Sequence, residues 1–196
     1  MRDMAAEFKI VEEADKPLAM HPKKFALWIF IVSVFMIFAA LTSAYIVRQS
    51  DGNWLVFDLP NSFWITSAII LISSGTMHWA YLAAKRDNLE ATKIAISITT
   101  VLGAAFLVGQ FIAWGDLVKR NVYFVGNPSG SFVYVLSGLH GLHIVGGVIF
   151  LLIVLTATFR FRVHSKNLAQ IEMCATYWHF LDALWLYLFV FLLLNR

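Results

Sequence analysis

Residues 25–47 read FALWIFIVSVFMIFAALTSAYIV, 23 positions without a charged side chain. A helix needs about 20 consecutive apolar residues to cross the hydrocarbon core of a bilayer. This run therefore decides the fold class. It is also longer than a secretory h-region of roughly 7–15 residues, so it reads as a retained span rather than a cleaved signal. Four more apolar runs follow at about 62–84, 94–114, 131–159 and 175–194. The run at 131–159 exceeds what a span requires and is expected to tilt or project. Backbone polar groups in lipid must be satisfied internally, which leaves helices or closed barrels. Continuous runs without two-residue alternation select helices. The expectation is an all-α integral membrane bundle of five transmembrane helices, preceded by a polar arm over 1–24 that contains Pro17 and Pro22.

Composition agrees. The 196 residues are 60% hydrophobic and 14% charged, against roughly 45–50% and about 25% in a soluble domain. The net charge of +3 does not point to nucleic acid, because Lys and Arg sit at the ends of the apolar runs. The single cysteine, Cys174, excludes an internal disulfide framework and a multi-thiolate metal site.

Positive charge sets the orientation. Arg2, Lys9, Lys16, Lys23, Lys24, Lys85, Arg86, Lys93, Arg160, Arg162 and Lys166 flank one side, and Arg48, Lys119, Arg120 and Arg196 the other. The positive-inside rule then places the N-terminus in the cytoplasm and the C-terminus outside. Trp28, Trp54, Trp64, Trp114 and Tyr123 lie near span ends, where aromatic belts form. The longest outer loop is expected at 115–130, ending in the turn formers Gly126-Asn127-Pro128-Ser129-Gly130.

In lipid the informative residues are the polar ones. The last run carries Glu172, His179 and Asp182, which fall within about 80° of one another on a helix. Trp178 and Trp185 flank that stripe, and the whole is expected to face protein. His179 and Asp182 are expected to be hydrogen-bonded, with His140 or His143 on the fourth helix as partners. Those two histidines lie about 60° apart with Gly147 between them, while Gly138 and Gly141 fall on another side suited to close helix approach. Gln110 adds a polar group to the third run, and Ser73, Ser74, Thr76 and His78 do so in the second. Histidines in this pattern suit metal or haem ligation on one reading and interhelical hydrogen bonds on the other. The pattern favours the structural reading, since no facing pair or three-histidine cluster is legible. His179–Asp182 can likewise be read as a proton-relay element or as a structural pair.

Two stretches carry a family resemblance. Gly130-Ser131 is followed by Gly138-Leu139-His140-Gly141-Leu142-His143. The last run supplies Glu172, Tyr177, Trp178, His179, Phe180, Asp182, Trp185 and Leu186 in order. Together they resemble subunit III of the haem–copper terminal oxidases, the cytochrome c oxidase subunit III family, in its five-helix bacterial form. Gln110, Ser74-Gly75, Trp79-Ala80 and Tyr45 are lesser matches. The resemblance implies a multi-pass protein of the bacterial inner membrane that packs on subunit I beside subunit II, with haem and copper held by those partners. It implies no catalytic, cofactor-binding or metal residue in this chain. It further implies a bound phospholipid and a supporting role in proton uptake and turnover stability. The family's buried carboxylate follows a Ser in the first of these helices, whereas here Ser33 is followed by Val34. The acidic residue expected after Gln110 is also missing, with Ala113 near that place.

Within the fold, a quinol oxidase or nitric oxide reductase partner is the alternative. From another class, a small transporter would show broken helices and paired mid-membrane charges, and an autonomous haem protein would show a Soret band when isolated.

Overall fold

A computed structural model describes residues 22–160 and 168–195. Most of the 1–24 arm lies outside the described residues, as do Arg162, Lys166 and Arg196 from the charge count. Among the described residues the chain is all-helical. It forms α1 (Pro22–Ser50), α2 (Asn61–Lys85), α3 (Leu89–Lys119), α4 (Pro128–Phe159) and α5 (Ala169–Leu194).

Each helix outruns its apolar stretch, and the caps explain where it stops. The Asn88 side chain accepts from the Ala91 amide at 3.1 Å, so α3 begins five residues before its apolar stretch. Asp87, at φ 53°, turns the chain in the left-handed region just before it. At the other end of α3, Lys119 pairs with Asp116 at 3.0 Å and Ser62 donates to Asp116, which holds the polar last turn helical. Asn121, at φ 60°, then ends it. Asn127 caps α4 by accepting from the Ser129 amide at 2.9 Å, with Pro128 in the first turn. The loop expected at 115–130 therefore shrinks to 120–127.

Four of these helices, α1, α3, α4 and α5, are long and apolar enough to cross a membrane by length and composition. α2 has the length, at 25 residues, but is diluted by Ser, Thr and His. The five-helix all-α bundle is as expected, with four helices apolar enough to span and α2 more polar than the rest. Thr66, Ser67, Ser73, Ser74 and Thr76 turn toward α3 and α5, where they find partners, while His78 is exposed.

α2 and α3 form a tight antiparallel hairpin, α4 packs on α3, and α5 lies against both α2 and α4. α1 leans only on α4 and α5 and does not approach α2 or α3. α5 is thus the hub, bordered by α2, α4 and α1 in turn, with one open side between α1 and α2. Of the five residues proposed for aromatic belts, Trp28, Trp64 and Tyr123 are exposed. Trp54 and Trp114 pack inward instead. Trp54 meets Tyr45 at 4.7 Å between ring centres, and the Trp114 indole donates to Ser137 at 3.0 Å.

Candidate functional site

The seam along α5 is built from two buried tryptophans one heptad apart. Trp178 is enclosed between α2, α3 and α4. Its indole N–H donates to Ser73 Oγ at 3.0 Å, and its ring fills the space left by two glycines. A Cβ on Gly103 would come within 2.6 Å of that ring, and one on Gly147 within 3.0 Å of it and 3.1 Å of Leu181. The close approach expected at Gly138 and Gly141 is thus at Gly147 and Gly103. A Cβ on Gly138 would find only ordinary contact, 3.6 Å from Trp114. Trp185 repeats the arrangement one layer further along. It donates to Ser67 Oγ at 2.9 Å, stacks on Phe63 and meets Phe106 edge-on at 5.0 Å. An indole in lipid must place its N–H on an acceptor, and α2 supplies a serine for each ring.

His140 and Trp185 lie with ring centres 5.0 Å apart, and Phe38 and Phe106 close the box around the imidazole. Neither ring nitrogen of His140 has a hydrogen-bond partner. His143 is partly buried, and its Nδ1 is 2.7 Å from the Leu139 carbonyl of its own helix. Neither histidine side chain pairs with His179 or Asp182, which corrects the expected partnership; α5 reaches them instead through Trp185, beside the His140 ring, and Tyr177, whose hydroxyl donates to the His143 carbonyl at 3.4 Å. The physical reason is rotational: α4 turns His140 into the aromatic core and His143 toward Phe30 and Phe38 on α1.

His179 and Asp182 face α2 instead. His179 Nδ1 is 2.7 Å from Ser74 Oγ, and its ring lies 6.1 Å from that of His78. Asp182 is buried at 3% exposure. Neither of its carboxyl oxygens has a hydrogen-bond partner. Glu172 lies apart from both. It forms an ion pair with Lys24 of α1 at 2.8 Å, at the rim and about two-fifths exposed. Gln110 is buried on α3 and donates to Thr66 Oγ1 at 3.3 Å, its side-chain oxygen unpartnered. Among the described residues, no group of three or more His, Cys, Asp or Glu is placed to hold a metal ion.

The stripe read from the sequence therefore divides in two. Trp178, Trp185 and Asp182 are inside, while Glu172 and His179 line its edge. The partners Ser67, Ser73, Gly103 and Phe106 were not singled out as partners, though serines at 67 and 73 on a run otherwise rich in Ile and Ala were a signal for them.

The motif-bearing helices fall inside a family match. Residues 55–195 match the model for cytochrome c oxidase subunit III. The probable cytochrome c oxidase subunit 3 of Nocardia farcinica is 30% identical over 167 residues, covering 82% of each chain. The cytochrome c oxidase subunit 3 of Thermostichus vulcanus is 28% identical over 185 residues, covering 88% of each. The cytochrome bo(3) ubiquinol oxidase subunit 3 of Buchnera aphidicola is 28% identical over 185 residues, 92% of this chain and 97% of its own. With the match extending from the α1–α2 loop through the whole of α5, the chain belongs to the cytochrome c oxidase subunit III family.

Proposed function

We propose that this chain is the non-catalytic subunit III of a terminal respiratory oxidase in a bacterial inner membrane, packed on subunit I beside subunit II. The carrying observation is where the family match falls. It takes in α2 to α5, whose polar and aromatic residues are spent on holding helices together. The indoles of Trp178 and Trp185, the amide of Gln110 and the Trp114–Ser137 pair all make interhelical bonds. Redox chemistry on this reading belongs to the partner subunits, and the chain's contribution is packing, bound lipid and support of proton uptake. All five helices cross the membrane, with the N-terminus cytoplasmic.

A cavity of about 610 Å³ between α1, α4 and α5 supports the lipid part of this reading. Leu27, Phe30 and Phe150 give it apolar walls, and Lys23 and Gln170 add polar groups to its lining. An acyl chain fits the former and a phosphate headgroup the latter. Val34 is buried at 1% exposure, so no carboxylate at that place takes part in proton uptake.

A ubiquinol-oxidizing complex is the second reading, favoured by the Buchnera relative matching over nearly its entire length. One purification tests both. A tagged chain, extracted in mild detergent, is expected to bring haem–copper subunits with it, and their mass spectra name the electron donor's site. The chain stripped from them is expected to be colourless and free of copper. A Soret band, or stoichiometric copper dependent on His140 and His143, on the stripped chain would overturn the assignment.

A further inference from the structure

Imidazoles exposed at hydrocarbon depth are the anomaly of this fold. His179 lies ten residues into α5, about 15 Å from its start, and Ser74 lies thirteen residues into α2, about 20 Å from its start. Both are deep within their helices. His78 is exposed and His179 partly exposed, and the surface beside them is apolar, with Leu71 and Leu82 exposed on α2. Lipid satisfies neither ring. An ionisable side chain in a membrane faces protein or water as a rule, because leaving it in hydrocarbon costs several kcal/mol.

α5 is left uncovered beside them. α1 and α2 do not touch each other, so α5 forms the floor between them. Thr176, His179 and Ala183 follow one another along that floor, each at least partly exposed, and two of the three are small. Small residues admit a neighbouring helix to close range, and polar side chains then bond across it. Ser74 holds His179 by Nδ1, which leaves Nε2 directed away from that bond. Asp182, on the same helix, is buried and neither of its carboxyl oxygens has a hydrogen-bond partner.

We infer that the α2–α5 groove at Ser74, His78, His179 and Ala183 is the docking seat for one transmembrane helix of a partner subunit, which presents a hydrogen-bonding side chain at mid-membrane. This rests on the chain being a subunit of a larger oxidase and names the surface it uses. Polar complementarity chooses the occupant. A lipid chain supplies no polar atom at this depth, whereas a helix bearing Ser, Thr, Asn, Gln or a carboxyl group does.

Photocross-linking in the intact membrane complex decides the matter. The variant Ala183→p-benzoylphenylalanine places the probe on the groove floor. Val101→p-benzoylphenylalanine, on an exposed face of α3, serves as the control. The expected result is an adduct from position 183 to a transmembrane peptide of another subunit, with none from position 101. Replacing His78 and His179 together by Leu should lower retention of the chain in the purified complex by about three- to tenfold. An adduct from position 183 to lipid alone, or to a second copy of the chain, would overturn the proposal. The functional reading fails separately: if the chain brings no haem–copper subunit on purification, it is wrong, and the identity of the position-183 adduct still decides the groove.

Discussion

α1 and α5 are both long apolar helices, yet they occupy opposite roles. In the most apolar stretch of α1, 22% of residues are buried inside the chain, against 56% for α5. The more apolar of these two stretches is the more exposed. In a soluble domain burial follows apolarity, because water expels the apolar face. In lipid there is no such expulsion between helices, and association rests on close packing and polar bonds. α1 has little to offer on that account. Phe25, Ile29, Phe35, Met36 and Val47 face outward, and its polar ties to α5 and the residue after it are Lys24 with Glu172, Thr42 with Tyr187, and Tyr45 and Gln49 with the Asn195 carbonyl. α5 inserts two indoles between glycines and serines of its neighbours.

The contrast predicts where damage is severe. Trp178→Ala, read by thermal unfolding of the detergent-solubilised protein, is expected to cost about 3–5 kcal/mol, in the range of large buried aromatic truncations. Gly103→Ala comes next. A methyl group 2.6 Å from the Trp178 ring has nowhere to go, and overpacking of this kind costs about 1–3 kcal/mol. Gly75→Ala is the matched control. Nothing lies within 4 Å of its added Cβ, and removing a helix glycine is neutral or stabilising by up to about 1 kcal/mol. A destabilised Gly75→Ala together with an unaffected Gly103→Ala would break the comparison outright.

Smaller effects sharpen it. Ser67→Ala removes the acceptor of the Trp185 indole and should cost about 0.5–1.5 kcal/mol, less than the loss of Trp178 but measurable by the same unfolding. Where α1 meets the start of α5, Glu172→Gln loosens only a half-exposed pair with Lys24. It should change stability by less than about 1 kcal/mol, and the difference should shrink further as salt is raised. Phe35→Leu, on the outward face, is expected to fall within about 0.5 kcal/mol of the parent.

The sequence made α1 plain and α5 only half plain, for the same physical reason. An uninterrupted run such as 25–47 has one meaning in lipid, and its helix is found there. The interior is set by rotation about each helix axis, and four helices with apolar residues on every side carry a weak record of it. Polar and small residues keep part of that record. Trp178, Trp185 and Asp182 marked the buried side of α5, and Gln110 that of α3. They did not say which neighbour each would meet. His179 went to α2 rather than to His140 or His143 because Ser74 stands opposite it, a pairing that no spacing within one helix contains. Gly103 and Gly147 likewise became the tight contacts only once Trp178 was placed between them. The loop at 120–127 was overestimated because Asp116 and Lys119 read as polar ends, when their i,i+3 pairing extends the helix beyond the apolar core.

A chain whose polar groups are spent on packing should sustain an oxidase rather than carry out its chemistry. The direct measurement is dioxygen consumption by the purified complex, with and without this subunit, followed from the first turnovers until the rate falls. The depleted complex is expected to start at a substantial rate and to lose activity over successive turnovers, and adding back the native subunit, with Val34 in place, should restore its endurance. A depleted complex that retains its haems, subunit I and subunit II but has no initial activity would contradict the packing role and place this chain in the catalytic step.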